Sequence, residues 1–171
     1  AANAVDGDST TFTHTANALG RMAMINALFW GRNRASRLTV PWCTYTDPEI
    51  AHVGLYEPQA KASGLAVTTL TVPLSENDRA ILDGQTDGFV RVHLKRGTDR
   101  ILGATVVAAH AGELLTYFTL AMASHRGLSS LAGAIYPYPT QSEAIKRLAN
   151  AHLATKLSPA ATSRGSRRAS R

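Results

Sequence analysis

Hydrophobic positions near the N-terminus recur every three or four residues, the spacing of one helical face. The apolar side chains on that face are Ala18, Met22, Ile25 and Phe29. This pattern predicts a helix over residues 13–30, capped by Thr11 or Thr13. The polar stretch GRNRASR, residues 31–37, is predicted to end the helix and to act as a linker.

A second pattern, strict alternation, predicts strands further along the chain. In FVRVHLKR, residues 89–96, three apolar side chains alternate with Arg91, His93 and Lys95, which predicts a half-buried strand. LAVTTLTV and RILGATVVAA are predicted to flank it, giving an antiparallel meander over residues 66–109. LTVPWCTYT at 38–46 is predicted to be extended, and ENDRAILDGQTDG at 76–88 to be irregular.

Helical patterns follow the predicted strands. Residues 112–125 are apolar nearly all round, which predicts a helix buried against the sheet, and residues 141–155 form a second helix. A short helix at 58–63 is predicted to begin at Pro58 and to stop at Gly64. An antiparallel sheet followed by helices packed on it predicts an α+β fold.

Composition and charge change this picture little. The chain is 44% hydrophobic and 18% charged, as in globular proteins. Four arginines in the last eight residues supply most of the net charge of +6, so the body is nearly balanced. Residues 158–171 are predicted to be a disordered basic tail. A solvated tail is favoured over a nucleic-acid-binding one.

Several kinds of chemistry lack their usual sequence signals. No two of the 13 glycines are two residues apart, so no dinucleotide-binding G-x-G-x-x-G turn is present. The six histidines show no zinc-binding spacing, and we predict no metal site. A single cysteine, Cys43, excludes an intrachain disulfide and fits a reducing, cytoplasmic location. No signal peptide and no membrane span are predicted.

Three ordered blocks carry a resemblance to a known family. They are VPWCTYTDPEIAHVGL at 40–55, GFVRVHLKRGTDRILGATVVAAHAGELL at 88–115, and IYPYPTQSEAIKR at 135–147. Together they resemble the C-terminal dimerisation domain of the flavin-dependent pyridine nucleotide–disulfide oxidoreductases. That family contains glutathione reductase, dihydrolipoamide dehydrogenase and mercuric reductase. The resemblance covers about residues 12–155.

The upstream block FTHTANALGRMAMINALFWG, residues 12–31, resembles the helix that ends the FAD-binding domain of the family. The resemblance implies that residues 1–37 end an FAD-binding domain and that residues 38–157 form the dimerisation domain. Thr13 and His14 would then lie at the helix N-terminus that faces the flavin, where the dipole favours negative charge. Asp8 is the candidate contact to the ribityl chain. Asp6 competes with it, and a solvated turn aspartate is the alternative.

The turn before the last helix carries the candidate catalytic residues. The family usually has H-P-T there, with a glutamate five residues after the histidine. The resemblance implies that the histidine serves as acid–base for the partner subunit's thiol and that the glutamate orients the histidine. Here Tyr138 stands in the histidine's place and Glu143 lies five residues later. Since a phenol titrates near pH ~10, Tyr138 is a poor base but a good hydrogen-bond donor. A tyrosine in this turn resembles the mercuric reductases, although their C-terminal cysteine pair is missing.

The resemblance therefore implies a dimerisation domain of a mercuric reductase-like flavoenzyme, apparently a piece of a longer protein. It would pair with itself or with a full-length reductase, use FAD at a shared site, and depend on NAD(P) only within the complete enzyme. Alone, the chain is expected to be inactive, because the phosphate-cradling turns are missing. The alternative is a non-catalytic interaction domain. Tyr136 and Tyr138 could also be packing residues, as aromatic side chains often are at interfaces.

Overall fold

The computed structural model describes residues 12–157, and its centre is one antiparallel sheet of five strands. The strands lie in the order β1-β2-β5-β4-β3. Their bounds are β1 Pro41–Thr44, β2 Glu49–Gly54, β3 Val67–Pro73, β4 Phe89–Lys95 and β5 Ile101–Ala108. The predicted α+β fold and the meander β3-β4-β5 are confirmed. The strand β2 was not predicted, and it lies between β1 and β5.

Within residues 12–157, six helices surround or extend this sheet. They are α1 Thr13–Leu28, α2 Glu57–Ala62, α3 Asp78–Leu82, α4 Ala111–Ala123, α5 Ser129–Ala132 and α6 Glu143–Lys156. Short 3-10 turns occupy Ala35–Arg37 and Leu74–Glu76. The helices α4 and α6 pack on the same face of the sheet, α4 over β2 and β5 and α6 over β3 and β4.

The core lies between the sheet and these two helices. Val90, Val92 and Leu94 point into it and are fully buried, as the alternation in β4 predicted. From α4, Phe118 is also fully buried. The prediction that α4 is buried against the sheet is confirmed, although the sheet covers only one side of the helix. Leu120, on the other side, is 65% exposed.

The stretch 76–88 is more ordered than predicted, since it contains α3. The Asn77 side chain begins this helix by accepting a hydrogen bond from the backbone N–H of Ala80, at 3.0 Å. Asn77 is 5% exposed, so this cap lies inside the domain. The turn-rich composition concealed this helix. It is short, and its cap residue Asn77 is held in place by a hydrogen bond to a residue that is distant in sequence.

The N-terminal helix departs from the prediction at both ends. Its cap is Phe12, not Thr13, which is already the first helical residue, and Thr11 lies outside the described residues. It ends at Leu28 rather than Trp30, which is 93% exposed. Asn26 then holds the following loop by two hydrogen bonds to the backbone of Asn33, each of 3.0 Å. No helix between residues 12 and 157 is long and apolar enough to cross a membrane.

Candidate functional site

The turn before α6 contains two tyrosines in opposite environments. Tyr136 is buried, and its hydroxyl donates to the carbonyl of Leu131 at 3.2 Å. Its ring lies against that of Tyr117, with 5.7 Å between the ring centroids. Packing within one chain thus accounts for Tyr136, in line with the packing alternative for this residue.

Tyr138 is 71% exposed, yet its hydroxyl is not free. It donates a hydrogen bond of 3.1 Å to Oδ2 of Asp78, the first residue of α3. This bond to a carboxylate, together with the negative charge of Asp78, raises the pKa of Tyr138 above its usual value. The phenol is therefore protonated at neutral pH, and its proton points at Asp78.

Glu143 is the first residue of α6 and is half-buried. Its carboxylate lies at the groove between α6 and the segment 76–78, and its charge adds a smaller contribution to the raised pKa of Tyr138. Tyr138 and Glu143 are thus brought to the same end of α6. Within residues 12–157, however, the carboxylate that contacts the Tyr138 hydroxyl belongs to Asp78 and not to Glu143.

Three consecutive residues hold the turn and α6 in place. Glu76 pairs with Arg147 at 3.5 Å, and Asn77 donates to the carbonyl of Thr140 at 3.1 Å. Asp78 completes the series through Tyr138. Sequence reasoning missed Asp78 because nothing in the letters NDRA links it to a tyrosine 60 positions away. No signal in a single sequence marks such a contact.

The other predicted site residues lie at the start of α1. Nε2 of His14 donates to the carbonyl of Pro41 at 2.8 Å, which ties the helix N-terminus to β1. The ring of His14 also stacks on Phe12, at a centroid distance of 5.4 Å. Thr13 is exposed in the first turn. Asp8 and its competitor Asp6 lie outside the described residues.

The start of α1 suits a negatively charged group. The first intrahelical bond runs from the N–H of Ala16 to the carbonyl of Phe12, so the three preceding N–H groups have no acceptor within the helix. No acidic side chain occupies the first turn. These features fit the electron-rich edge of a flavin.

Two further features bear on chemistry. Cys43 lies half-buried beside Glu49, and burial together with that carboxylate raises the pKa of its thiol. A raised pKa leaves less thiolate and hence a less reactive sulfur. Over the described part of the chain, no three histidine, cysteine or acidic side chains lie close enough together to hold a metal ion.

Known proteins match this chain over most of its length. Residues 40–149 match the family "Pyridine nucleotide-disulphide oxidoreductase, dimerisation domain". A mercuric reductase of Streptomyces lividans is 36% identical over 135 residues, which cover 79% of this chain and 28% of that protein. A dihydrolipoyl dehydrogenase of Mycoplasma pneumoniae is 36% identical over 111 residues, covering 65% of this chain and 24% of the relative.

The fold comparison agrees with the sequence comparison. The crystal structure of LpdA from Mycobacterium tuberculosis superposes with a TM-score of 0.76 at 32% identity, covering 82% of this chain and 31% of that one. The chain therefore spans less than a third of the length of these relatives. By its match to the family and its fold, the chain belongs to the pyridine nucleotide-disulphide oxidoreductases and carries their dimerisation domain.

Proposed function

We propose that this domain pairs two subunits of a flavin-dependent reductase and places Tyr138 and Glu143 in the partner subunit's active site. The observation that carries the proposal is the state of Tyr138. The side chain is 71% exposed, on a turn fixed by neighbouring hydrogen bonds, and its hydroxyl is already oriented by Asp78. A packing residue would instead be buried, as Tyr136 is.

The surface around Tyr138 supports pairing. The helices α3 and α4 and the turn line one cleft of about 380 Å³, so they share a side of the domain. Large apolar side chains are exposed on these elements: Leu82 is 72%, Leu120 is 65% and Ile135 is 95% exposed. Exposed apolar groups on neighbouring elements are typical of interaction surfaces. We propose a two-fold dimer in which each subunit presents this same surface.

The chemistry of Tyr138 differs from that of a histidine. Because its pKa is raised, the phenol stays protonated at neutral pH, so it would hold a partner group by hydrogen bonding rather than abstract a proton. FAD, when bound, would supply electron transfer between the nicotinamide and the thiols. This chain would contribute the backbone N–H groups of Thr13 and His14 to the flavin site, with Asp8 as a further contact to FAD.

Substrate class and location remain predictions. The tyrosine turn favours a mercuric reductase-like enzyme, although a dihydrolipoyl dehydrogenase matches the chain at the same 36% identity. A cytoplasmic location fits the single cysteine.

The first experiment measures assembly. Sedimentation of the chain at micromolar concentration should show a dimer, and Leu120→Glu should shift it towards monomer by placing a charge in an apolar contact. Lys95→Glu, an exposed change on β4 away from this surface, is the control. A monomer at every concentration would contradict the proposed pairing.

The second experiment tests catalysis. The chain replaces the matching segment of the Streptomyces lividans mercuric reductase, and this hybrid enzyme is assayed for NADPH-dependent reduction of a chromogenic disulfide. Tyr138→Phe should lower kcat roughly tenfold by removing one hydrogen bond at the reacting groups, with dimer and flavin content intact. Tyr45→Phe makes the same change at a tyrosine that is 81% exposed, outside the proposed site. Equal kcat for both variants would leave only the non-catalytic interaction domain.

A further inference from the structure

The segment 76–78 holds the last turn through three contacts that differ in kind. The Asn77 amide is buried and bridges the cap of α3 and the carbonyl of Thr140. Glu76 pairs with Arg147 at the surface. Asp78 is exposed and contacts only the hydroxyl of Tyr138 by its side chain among the described residues. Asp78 therefore fixes only the hydroxyl of Tyr138, whereas Asn77 fixes the backbone of the turn at Thr140.

The fold does not need the contact made by Asp78. The turn is already fixed by Asn77 and by Thr140, whose hydroxyl donates to the carbonyl of Pro137 at 2.8 Å. A hydrogen bond between two exposed side chains contributes little to stability because water competes for both partners. What the contact does determine is the direction of the Tyr138 hydroxyl.

A phenol has one proton to donate and lone pairs that accept. In this structure the proton is directed to Oδ2 of Asp78, so only the lone pairs of the phenolic oxygen are left for a further hydrogen bond. We infer that Asp78 is a positioning residue that presents Tyr138 to the partner subunit as a hydrogen-bond acceptor. This inference rests on the proposed function and adds that the partner group donates the hydrogen bond to Tyr138.

If Tyr138 acts as an acceptor, the group that it binds must be a hydrogen-bond donor. An S–H or N–H group can donate to the phenolic oxygen, whereas a thiolate would meet lone pairs beside the negative charge of Asp78. Glu143 and Glu76 add negative charge at the same groove, and Lys146 and Arg147 offset it in part. The expected ligand is therefore a protonated thiol or an amine, not a thiolate.

The first test uses the 171-residue chain with tyrosines labelled at the ring carbon that bears the hydroxyl. A pH titration followed by NMR should show the Tyr138 resonance titrating at lower pH in Asp78→Asn than in the unaltered chain. Glu76→Gln is the matched control, since it removes a carboxylate from the same segment without touching Tyr138, and it should give a smaller change. An unchanged Tyr138 titration in Asp78→Asn would overturn the inference.

The second test uses the hybrid enzyme. Asp78→Ala should lower kcat roughly three- to tenfold, the effect of one hydrogen bond. Asp78→Asn should recover most of that loss, because its amide oxygen also accepts the phenolic proton. A merely structural role would not be rescued in this way. In the Tyr138→Phe background, Asp78→Ala should have no further effect, because the hydroxyl that it orients is gone.

The outcomes separate the two ideas. If Tyr138→Phe leaves kcat unchanged, the proposed function fails, and this inference fails with it. If Tyr138→Phe lowers kcat but Asp78→Ala does not, the proposed function stands and only the positioning role is overturned. Urea midpoints of the Asp78 variants, expected to match the unaltered chain, exclude loss of fold as the cause.

Discussion

The two faces of the sheet are stabilised by different kinds of contact. The face towards α4 and α6 is apolar, and side chains such as Val90 and Val92 are fully buried there. The opposite face buries polar groups beside a small apolar cluster that includes Val67 and Leu102: His52 is 2% exposed and His93 is 4% exposed. The apolar face needs only close packing, whereas each buried imidazole needs partners for both of its nitrogens. Burial in this domain therefore does not follow polarity alone.

His52 has a complete set of partners. Its Nε2 lies 3.2 Å from the carbonyl of Gly54, so Nε2 carries the proton and donates it. Its Nδ1 then accepts from the Thr105 hydroxyl, at 2.9 Å. The ring stacks on Tyr56 with 3.7 Å between centroids. Burial lowers the pKa of His52 to about 4, and protonation of Nδ1 would also lose the bond from Thr105.

His93 uses a chain of contacts that reaches the surface. The Thr69 hydroxyl donates to Glu57 at 2.9 Å, so Nδ1 of His93 must donate to the Thr69 oxygen, also at 2.9 Å. Glu57 in turn pairs with Lys61 at 2.6 Å. Burial lowers the pKa of His93, and Glu57 partly opposes that shift. On the outer face Nδ1 of His93 is thus held by a hydrogen-bond network, whereas the inner face is held by apolar packing.

The largest expected effect lies on the inner face. Phe118→Ala should lower the free energy of unfolding by roughly 3–5 kcal/mol, because it removes a fully buried ring and leaves a cavity. Urea denaturation at neutral pH measures this loss. Thr116→Ala, an exposed change on the same helix, should cost less than about 1 kcal/mol. Equal losses for the two variants would show that α4 does not pack as described.

Acid should act on the outer face. His52 has a pKa of about 4 in the folded chain against an ordinary value of 6.5, so the unfolded chain binds the proton first. Stability is therefore constant above about pH 6.5 and falls between pH 6.5 and 4, by up to about 3 kcal/mol from this residue. The pKa values of His93 and His152 are also lowered and act in the same direction.

Urea midpoints between pH 7.5 and 4 test this dependence. His52→Phe should flatten the slope, whereas His110→Gln, at an exposed histidine, should keep it. An unchanged slope in His52→Phe would place the acid sensitivity elsewhere.

A smaller effect is expected when only one partner of His52 is removed. Thr105→Val keeps the shape of the side chain but leaves Nδ1 of the buried ring without a donor, which should cost roughly 1–3 kcal/mol. Thr98→Val, at an exposed turn threonine, is the control. Chemical denaturation distinguishes them, and no difference would mean that water satisfies His52.

The smallest effect concerns Tyr138. Tyr138→Phe should change the free energy of unfolding by less than about 1 kcal/mol, because the lost hydrogen bond joins two exposed side chains. Tyr136→Phe should cost more, since that hydroxyl is buried on the carbonyl of Leu131. Thermal unfolding of the two variants gives the ranking. The reverse order would make Tyr138 a stability residue and weaken its proposed catalytic role.

Local patterns were enough to predict much of this domain. The alternation in β4 predicted both the strand and its buried side, and the family resemblance aligned the turn at 137–140 with Glu143. The alternation depends on residues that are close in sequence, where backbone geometry fixes which side chains share a face. The family resemblance rested on the same kind of short, ordered blocks.

Contacts between distant segments were decided only by the tertiary structure. Alternation assigned His93 to the polar, open face of β4 with Arg91 and Lys95. In the structure His93 is buried, because Thr69 lies opposite it on β3 and bonds to its ring. Thr69 is in turn bonded to Glu57 of α2. Asp78 meets Tyr138 for the same reason, since Asn77 docks the start of α3 on the last turn. Contacts between segments that are far apart in sequence produce no periodic pattern in either segment. A single sequence therefore cannot reveal them.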